Sequence, residues 1–177
     1  MIIEYSRQVL PLAMKLTTRG RYAITALLDL AVHSACNPLQ SPTSLAAIGE
    51  RNHISRLYLE KLFRILSAKG LVKGERGSMG GYRLARSAAD ISVGEVLQSV
   101  DHLDATSCKG HKNCRSGEAC LSHDLWVQLN THMVRFLQQI SLEQLAQNIH
   151  KEVIAGTRPP LQTSAATDTA QLLWRES

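Results

Sequence analysis

A mainly α-helical fold carrying one small β-hairpin, with a long helix towards the C-terminus, is what this sequence predicts. Three observations predict it. Apolar residues recur at i, i+3, i+4 and i+7 in three separate stretches, and a glycine-rich segment, Gly74 to Gly81, is flanked by two short strand-like runs. From Trp126 onward the apolar spacing becomes 3, 4, 3, 4 over Leu129, Met133, Phe136 and Ile140.

The first helix opens at Thr18, gathers Ile24, Leu27, Leu28 and Ala31 on one face, and ends near Cys36-Asn37-Pro38, where proline breaks the hydrogen-bond ladder. Residues 37–43, rich in Pro, Ser and Thr, form a loop. Ser44 then caps a short helix over Leu45 to Arg51 by accepting from the free amides of its first turn. After a turn at Asn52-His53-Ile54, Ser55 caps a second helix with Leu59, Leu62, Phe63 and Leu66 on its apolar face, and Gly70 stops it. Leu71-Val72-Lys73 and Tyr82-Arg83-Leu84 pair as a hairpin around the glycines. A capping box at Ser92 to Glu95 opens a helix with Val93, Val96, Leu97 and Val100 on one side. The heptad-like stretch from Trp126 to Ile140 reads as a dimerisation helix, with an intramolecular core stripe as the bland alternative. A small helix follows from Ser141, where Gln144 completes a second capping box, and the tail from Gly156 is expected to be disordered.

Two helices joined by a tight turn, the second carrying Arg56, Tyr58, Glu60, Lys61 and Arg64 off its apolar face, are what a helix-turn-helix needs to offer polar side chains to a major groove. A hairpin placed directly after them is a wing, with Arg76 near its tip to meet a phosphate. The glycines could instead cradle a nucleotide, but the segment lacks the GxxxxGK[ST] pattern and opens no helix. The fold class expected is therefore a winged helix-turn-helix domain plus a long C-terminal dimerisation helix.

Charge supports this assignment without deciding it. Between Met14 and Arg86, twelve Lys or Arg stand against four Asp or Glu, a local +8 within a chain of net +5 over 177 residues, leaving −3 for the remainder. One end suits a polyanion, although basic faces also bind membranes and acidic proteins. With 44% hydrophobic residues the chain can bury a core. It has no run of about 18 apolar residues and no basic start with an apolar stretch typical of a signal peptide, so no membrane is expected and a cytoplasmic location is. Met14 opens the more structured segment, and residues 1–13 read as an upstream extension without a fold of their own.

Of four cysteines, Cys36 stands alone and three fall within the polar, glycine-containing stretch from Cys108 through Cys114 to Cys120, followed by His123. The reducing cytosol disfavours disulfides, and buried structural cysteines ride on apolar segments, so this cluster points to metal. Three thiolates and an imidazole satisfy tetrahedral zinc. They equally supply the two protein ligands that each iron of a [2Fe-2S] cluster requires. The wide CxxxxxC steps favour the larger object only modestly. No catalytic constellation accompanies the four donors, so a metalloenzyme is not expected.

The stretches LTTRGRYAITALLDLA, SRLYLEKLFRILSAKGLV, RGSMGGYRLA and VGEVLQSVD, with the Cys/Cys/Cys/His spacing, resemble the IscR-type family of iron-sulfur cluster-binding winged helix-turn-helix transcription regulators. The likeness covers about Met14 to Asn148. It implies a homodimer on palindromic operators in double-stranded DNA, and one [2Fe-2S] cluster per subunit on Cys108, Cys114, Cys120 and His123. The iron-sulfur cluster assembly machinery would be the cluster donor and, when the cluster is bound, the repressed target; cluster-free protein would bind a second class of sites. Glu60 matches the position that discriminates those classes. The DNA contacts expected are Arg19, Ser55, Arg56, Tyr58, Glu60, Lys61, Arg64, Arg76, Gly77 and Ser78, and the dimer contacts Trp126, Leu129, Met133, Phe136 and Ile140. His111 lies inside the ligand loop but off the matching position. The loop at residues 37–43 and both termini are longer than the family leads one to expect. A nitric-oxide-sensing repressor of the same superfamily, in which the fourth ligand is not usually a histidine so placed, and a zinc-stabilised interaction module are the alternatives. The domains expected are 14–101 for DNA binding, 102–123 for the cluster loop, 124–150 for the dimerisation and short helices, and 151–177 as disordered tail.

Overall fold

The computed structural model describes residues 17–36, with side chains as far as His33, and residues 41–77, 80–101 and 119–157. Its elements are α1 (Thr18–Cys36), α2 (Leu45–Asn52), α3 (Arg56–Ala68), β1 (Val72–Glu75), β2 (Gly81–Leu84), α4 (Val93–Val100), α5 (His123–Gln138) and α6 (Leu142–Ile154), with one 3-10 turn at Ala88–Asp90. The mainly α architecture with a hairpin wing is thus the one expected. Residues 1–16, 37–40, 102–118 and 158–177, which hold the N-terminal extension, most of the ligand loop and most of the tail, lie outside the described residues.

The core is organised around α1, which buries Ala23, Ala26, Leu27, Leu30, Ala31 and Val32 and packs against α2, α4, α6 and β2. Three of those six are alanines, so neighbouring helices can approach closely. Leu59, Leu62, Phe63 and Leu66 of α3, Val96 and Val100 of α4, and Leu142 and Ala146 of α6 complete the same cluster. The sequence periodicity marked the apolar faces of α3 and α4, whereas in α1, which is covered on more than one side, Leu27 and Ala31 are buried as expected but Ile24 and Leu28 are only half-buried. Phe63 meets Tyr82 edge to face at 4.8 Å, which seats the wing on α3.

Local chemistry sets the boundaries. Ser44 and Ser55 accept from the amides of Ala47 and Tyr58, each at 3.2 Å, as expected of caps. Gly70, at φ 70°, ends α3 in a double closure: its N–H donates to Ser67 O and that of Leu71 to Leu66 O, both at 3.0 Å. β1 and β2 are antiparallel, with Val72 opposite Leu84 and Glu75 opposite Gly81. Thr43, expected in a loop, exchanges two backbone hydrogen bonds with Tyr82, at 2.9 and 2.8 Å. A Cβ on Gly81 would stand 2.5 Å from Thr43 O, so only glycine admits this approach.

Three expectations need correction. The capping box at Ser92 is half made: Ser92 Oγ accepts from Glu95 N at 3.1 Å, but the Glu95 carboxylate takes Arg86 Nη2 at 2.5 Å. An ionised carboxylate gains more from a guanidinium than from a neutral amide. At Ser141 the reciprocal box is complete. The helix from Trp126 does not reach Ile140 but ends at Gln138, because Ile140 O accepts from Val93 N at 2.8 Å and the chain turns to bury Leu142. The helix after Ser141 is 13 residues long rather than small.

A buried polar node joins α1 to α2. The Asp29 carboxylate, only 6% exposed, accepts from Arg51 Nε and Nη2 at 2.9 and 2.6 Å and from Asn52 Nδ2 at 2.8 Å. His33 Nε2 lies 3.9 Å from it. Burial, with Arg51 and His150 nearby, holds the His33 imidazole below its usual pKa against the opposing pull of Asp29.

Asp29→Ala, which strands Arg51, is expected to cost about 3 to 5 kcal/mol of stability in a urea titration; a loss below about 1 kcal/mol contradicts the node. Because the folded state binds the His33 proton less readily than the unfolded chain does, the stability it contributes is present above its unfolded pKa. It is lost as pH falls through the depressed folded value. Thermal midpoints should therefore fall between about pH 7.5 and about pH 5, and His33→Gln should flatten that dependence. Equal slopes in both proteins contradict the assignment.

Candidate nucleic-acid interface and ligand loop

One surface collects the cations. The outward face of α3 exposes Arg56, Glu60, Lys61 and Arg64, and the wing exposes Arg76 and Gly77. Gly77 adopts φ 123°, a conformation that turns the hairpin and that side-chain-bearing residues rarely take. Ser78 lies outside the described residues. A recess of about 260 Å³ between Ser44, Arg56, Gly80 and Tyr82 brings the start of α2, the first turn of α3 and the base of the wing together. Across the hairpin, Arg83 Nη2 pairs with Glu75 Oε2 at 2.7 Å, which stiffens the wing, while Arg76 and Lys73 are exposed cations on it.

Several expected contacts already have structural partners. Ser55 caps α3. Tyr58 is half-buried and lies edge to face with Tyr22 of α1, ring centroids 5.4 Å apart. Arg19 Nη1 donates to Val100 O at the end of α4, at 3.2 Å. Glu60 Oε1 accepts from Arg56 Nε at 3.0 Å, one helical turn away. That ion pair is solvent-exposed and so readily exchanged for another partner. Besides Arg19, which Val100 O holds, and Arg56, which Glu60 holds, Lys61, Arg64 and Arg76 are the exposed cations of this set.

At the start of α5 lie the last two of the four expected donors. The His123 N–H donates to Cys120 O at 3.0 Å, so Cys120 and His123 occupy one turn leading into α5. His123 is only 6% exposed, although it begins a helix. Cys120 carries a free, half-buried thiol 3.8 Å from Ser122 Oγ, and Ser122 Oγ in turn accepts from Trp126 Nε1 at 2.9 Å. Among the described residues no group of three or more metal-type donors occurs; Cys108 and Cys114 fall outside them. The donor chemistry fits a metal centre: a thiol and an imidazole three residues apart are both ordinary ligands of zinc and of iron-sulfur clusters.

Along α5, Trp126 and Met133 are half-buried, whereas Leu129 and Phe136 are exposed together with Leu125. The outward apolar stripe is therefore Leu125, Leu129 and Phe136. Leu125 escaped the heptad reading, which fixed on the larger Trp126 beside it.

A family profile described as Rrf2, iron-dependent transcriptional regulator, matches residues 16–148. The HTH-type transcriptional regulator IscR of Photorhabdus laumondii is 44% identical over 159 residues, covering 89% of this chain and 94% of that protein. The IscR of Vibrio atlanticus is 50% identical over 133 residues, 75% of each chain. The solved structure of T. potens IscR superposes with a TM-score of 0.65 at 29% identity, over 78% of this chain and 90% of that one.

Arg76→Ala is expected to weaken binding to every duplex about equally and to lower the slope of log affinity against log salt by about one, read by fluorescence anisotropy across a salt series. A loss confined to one DNA sequence contradicts a phosphate contact.

Proposed function

The chain belongs to the Rrf2 family of iron-dependent transcriptional regulators, and we propose that it is a homodimeric, cytoplasmic regulator whose choice of operator depends on a [2Fe-2S] cluster. DNA-binding transcription regulation and the absence of enzymatic chemistry are what its IscR relatives share. The cluster, its four ligands, the palindromic operators, the repression of cluster-assembly genes and the assembly machinery as donor are the finer reading.

The observation that carries this reading is the turn at Cys120 and His123. A buried imidazole and a thiol held three residues apart at a helix start are what a mixed sulfur and nitrogen site requires. Cys108 and Cys114 supply the remaining donors. These four side chains would hold a [2Fe-2S] core of net charge about −1 with its ligands, a charge that the positive end of α5 would favour.

The protein's own residues do the rest. α3 enters the major groove with Lys61 and Arg64 flanking phosphates, and Arg76 meets the backbone from the wing. Glu60 can accept from cytosine N4 but is repelled by phosphates and by guanine acceptors, so its release from Arg56 or retention by it alters which sequence is tolerated. Leu125, Leu129 and Phe136 form the apolar stripe on which a second copy would pack. His123 in the fourth position favours the cluster-homeostasis type over the nitric-oxide-sensing type.

Purified without oxygen, the protein is expected to carry about two iron and two sulfide per chain with visible absorption, and Cys114→Ala to lose all three while its helical circular dichroism is unchanged. One zinc per chain without sulfide, or a Cys114→Ala protein that keeps iron and colour, overturns the proposal.

A further inference from the structure

The outward face of α3 carries one residue that the contacts assigned above do not use. Leu57, in the first turn, is 73% exposed. At i, i+3, i+4 and i+7 it shares a stripe with Glu60, Lys61 and Arg64, opposite the buried Leu59, Leu62, Phe63 and Leu66. It therefore adds nothing to the core, and the amphipathic pattern of the helix calls for a polar side chain in its place. Isolated surface leucines are common. What distinguishes this one is its position: Arg56 beside it lines the recess against the wing base, and the first residues of a helix so presented are those that reach base edges.

Resting on the reading of α3 as the recognition helix, we propose that Leu57 is a specificity-determining residue that packs on the C5-methyl group of a thymine in the major groove. Among the four bases only thymine offers hydrocarbon there. Leucine has neither donor nor acceptor, so against cytosine N4 or guanine O6 it would leave a dehydrated polar group without a partner. An apolar partner protein is a poorer occupant of the same face, because docking it would bury Glu60, Lys61 and Arg64 together with Leu57. A duplex places phosphates near those cations and a methyl group in the groove between them.

The test begins with selection of binding sites from random duplexes by the full-length protein, followed by replacement of each thymine with deoxyuracil, which deletes only the methyl group. One thymine is expected at which uracil weakens binding about fourfold, the value of one buried methyl-sized group. Leu57→Ala should lose that sensitivity at that position alone, and Leu57→Met should retain it. Both variants should melt as the parent does, since the side chain is outside the core. A site that tolerates uracil throughout, a selected site without thymine, or a Leu57→Ala protein with the full uracil penalty overturns the proposal while leaving operator binding intact. Failure to enrich any sequence is a different result, and removes the recognition-helix reading together with the proposal.

Discussion

Two short stretches of chain, 91–93 and 140–142, lie edge to edge and fix the rest of the molecule. Val93 N–H donates to Ile140 O at 2.8 Å and Leu142 N–H to Ile91 O at 3.0 Å, around an antiparallel bridge between Ser92 and Ser141. Gly94 makes this possible, since a Cβ there would stand 2.9 Å from the Gln138 nitrogen. The C-terminal end of α5 is thereby held on the N-terminal end of α4, and α6 is directed back so that Leu142 and Ala146 enter the core beside α1. Helices on both sides of the ligand loop thus share one core with the helix-turn-helix, joined by backbone contacts that require glycine at 94.

That junction holds α5 at its C-terminal end, and the ligand loop leads in sequence to the other end of the helix. Its 16 residues span about 24 Å, with His123 and Cys120 at the far end from the clamp. In the proposed function, an object that organises the loop acts at the end of α5 that carries the buried His123, as on a lever whose other end is anchored to α4, and through α4 to α1 and α3. The apolar stripe of Leu125, Leu129 and Phe136 runs along the same lever. In the proposed function, loop order, subunit packing and the presentation of α3 are therefore coupled through one element with two arrangements, as a ligand-biased equilibrium requires. The exposed Arg56–Glu60 pair is weak enough to be remade as that equilibrium shifts.

Much of this was legible in the sequence. The apolar faces of α3 and α4, the caps at Ser44, Ser55 and Ser141, the stop at Gly70 and the hairpin all follow from side-chain periodicity and local backbone chemistry, which short windows contain. The family profile matches residues 16–148, where the resemblance had run from about Met14 to Asn148. What could not be read is long-range. The bridge from Thr43 to Tyr82, the clamp between Ser92 and Ser141, and the early end of α5 at Gln138 arise from segments that meet only in the folded chain. Arg86 displaces the Ser92 amide at Glu95 for the same reason, since nothing local announces a guanidinium nine residues upstream. Leu57 was visible as a leucine on a polar face, but only its exposure makes that break in pattern meaningful.

The central claim is that the state of the ligand loop governs what the helix-turn-helix binds. It is tested most directly by measuring, at one salt concentration, the affinity of the anaerobically purified protein for its selected operators before and after removal of iron. The account predicts that loss of iron changes the ranking of operators, with at least one site losing tenfold or more in affinity, about 1.4 kcal/mol, while non-specific duplex binding stays constant. Unchanged occupancy and unchanged affinity at every operator would contradict it, leaving a regulator that binds DNA without regard to its metal.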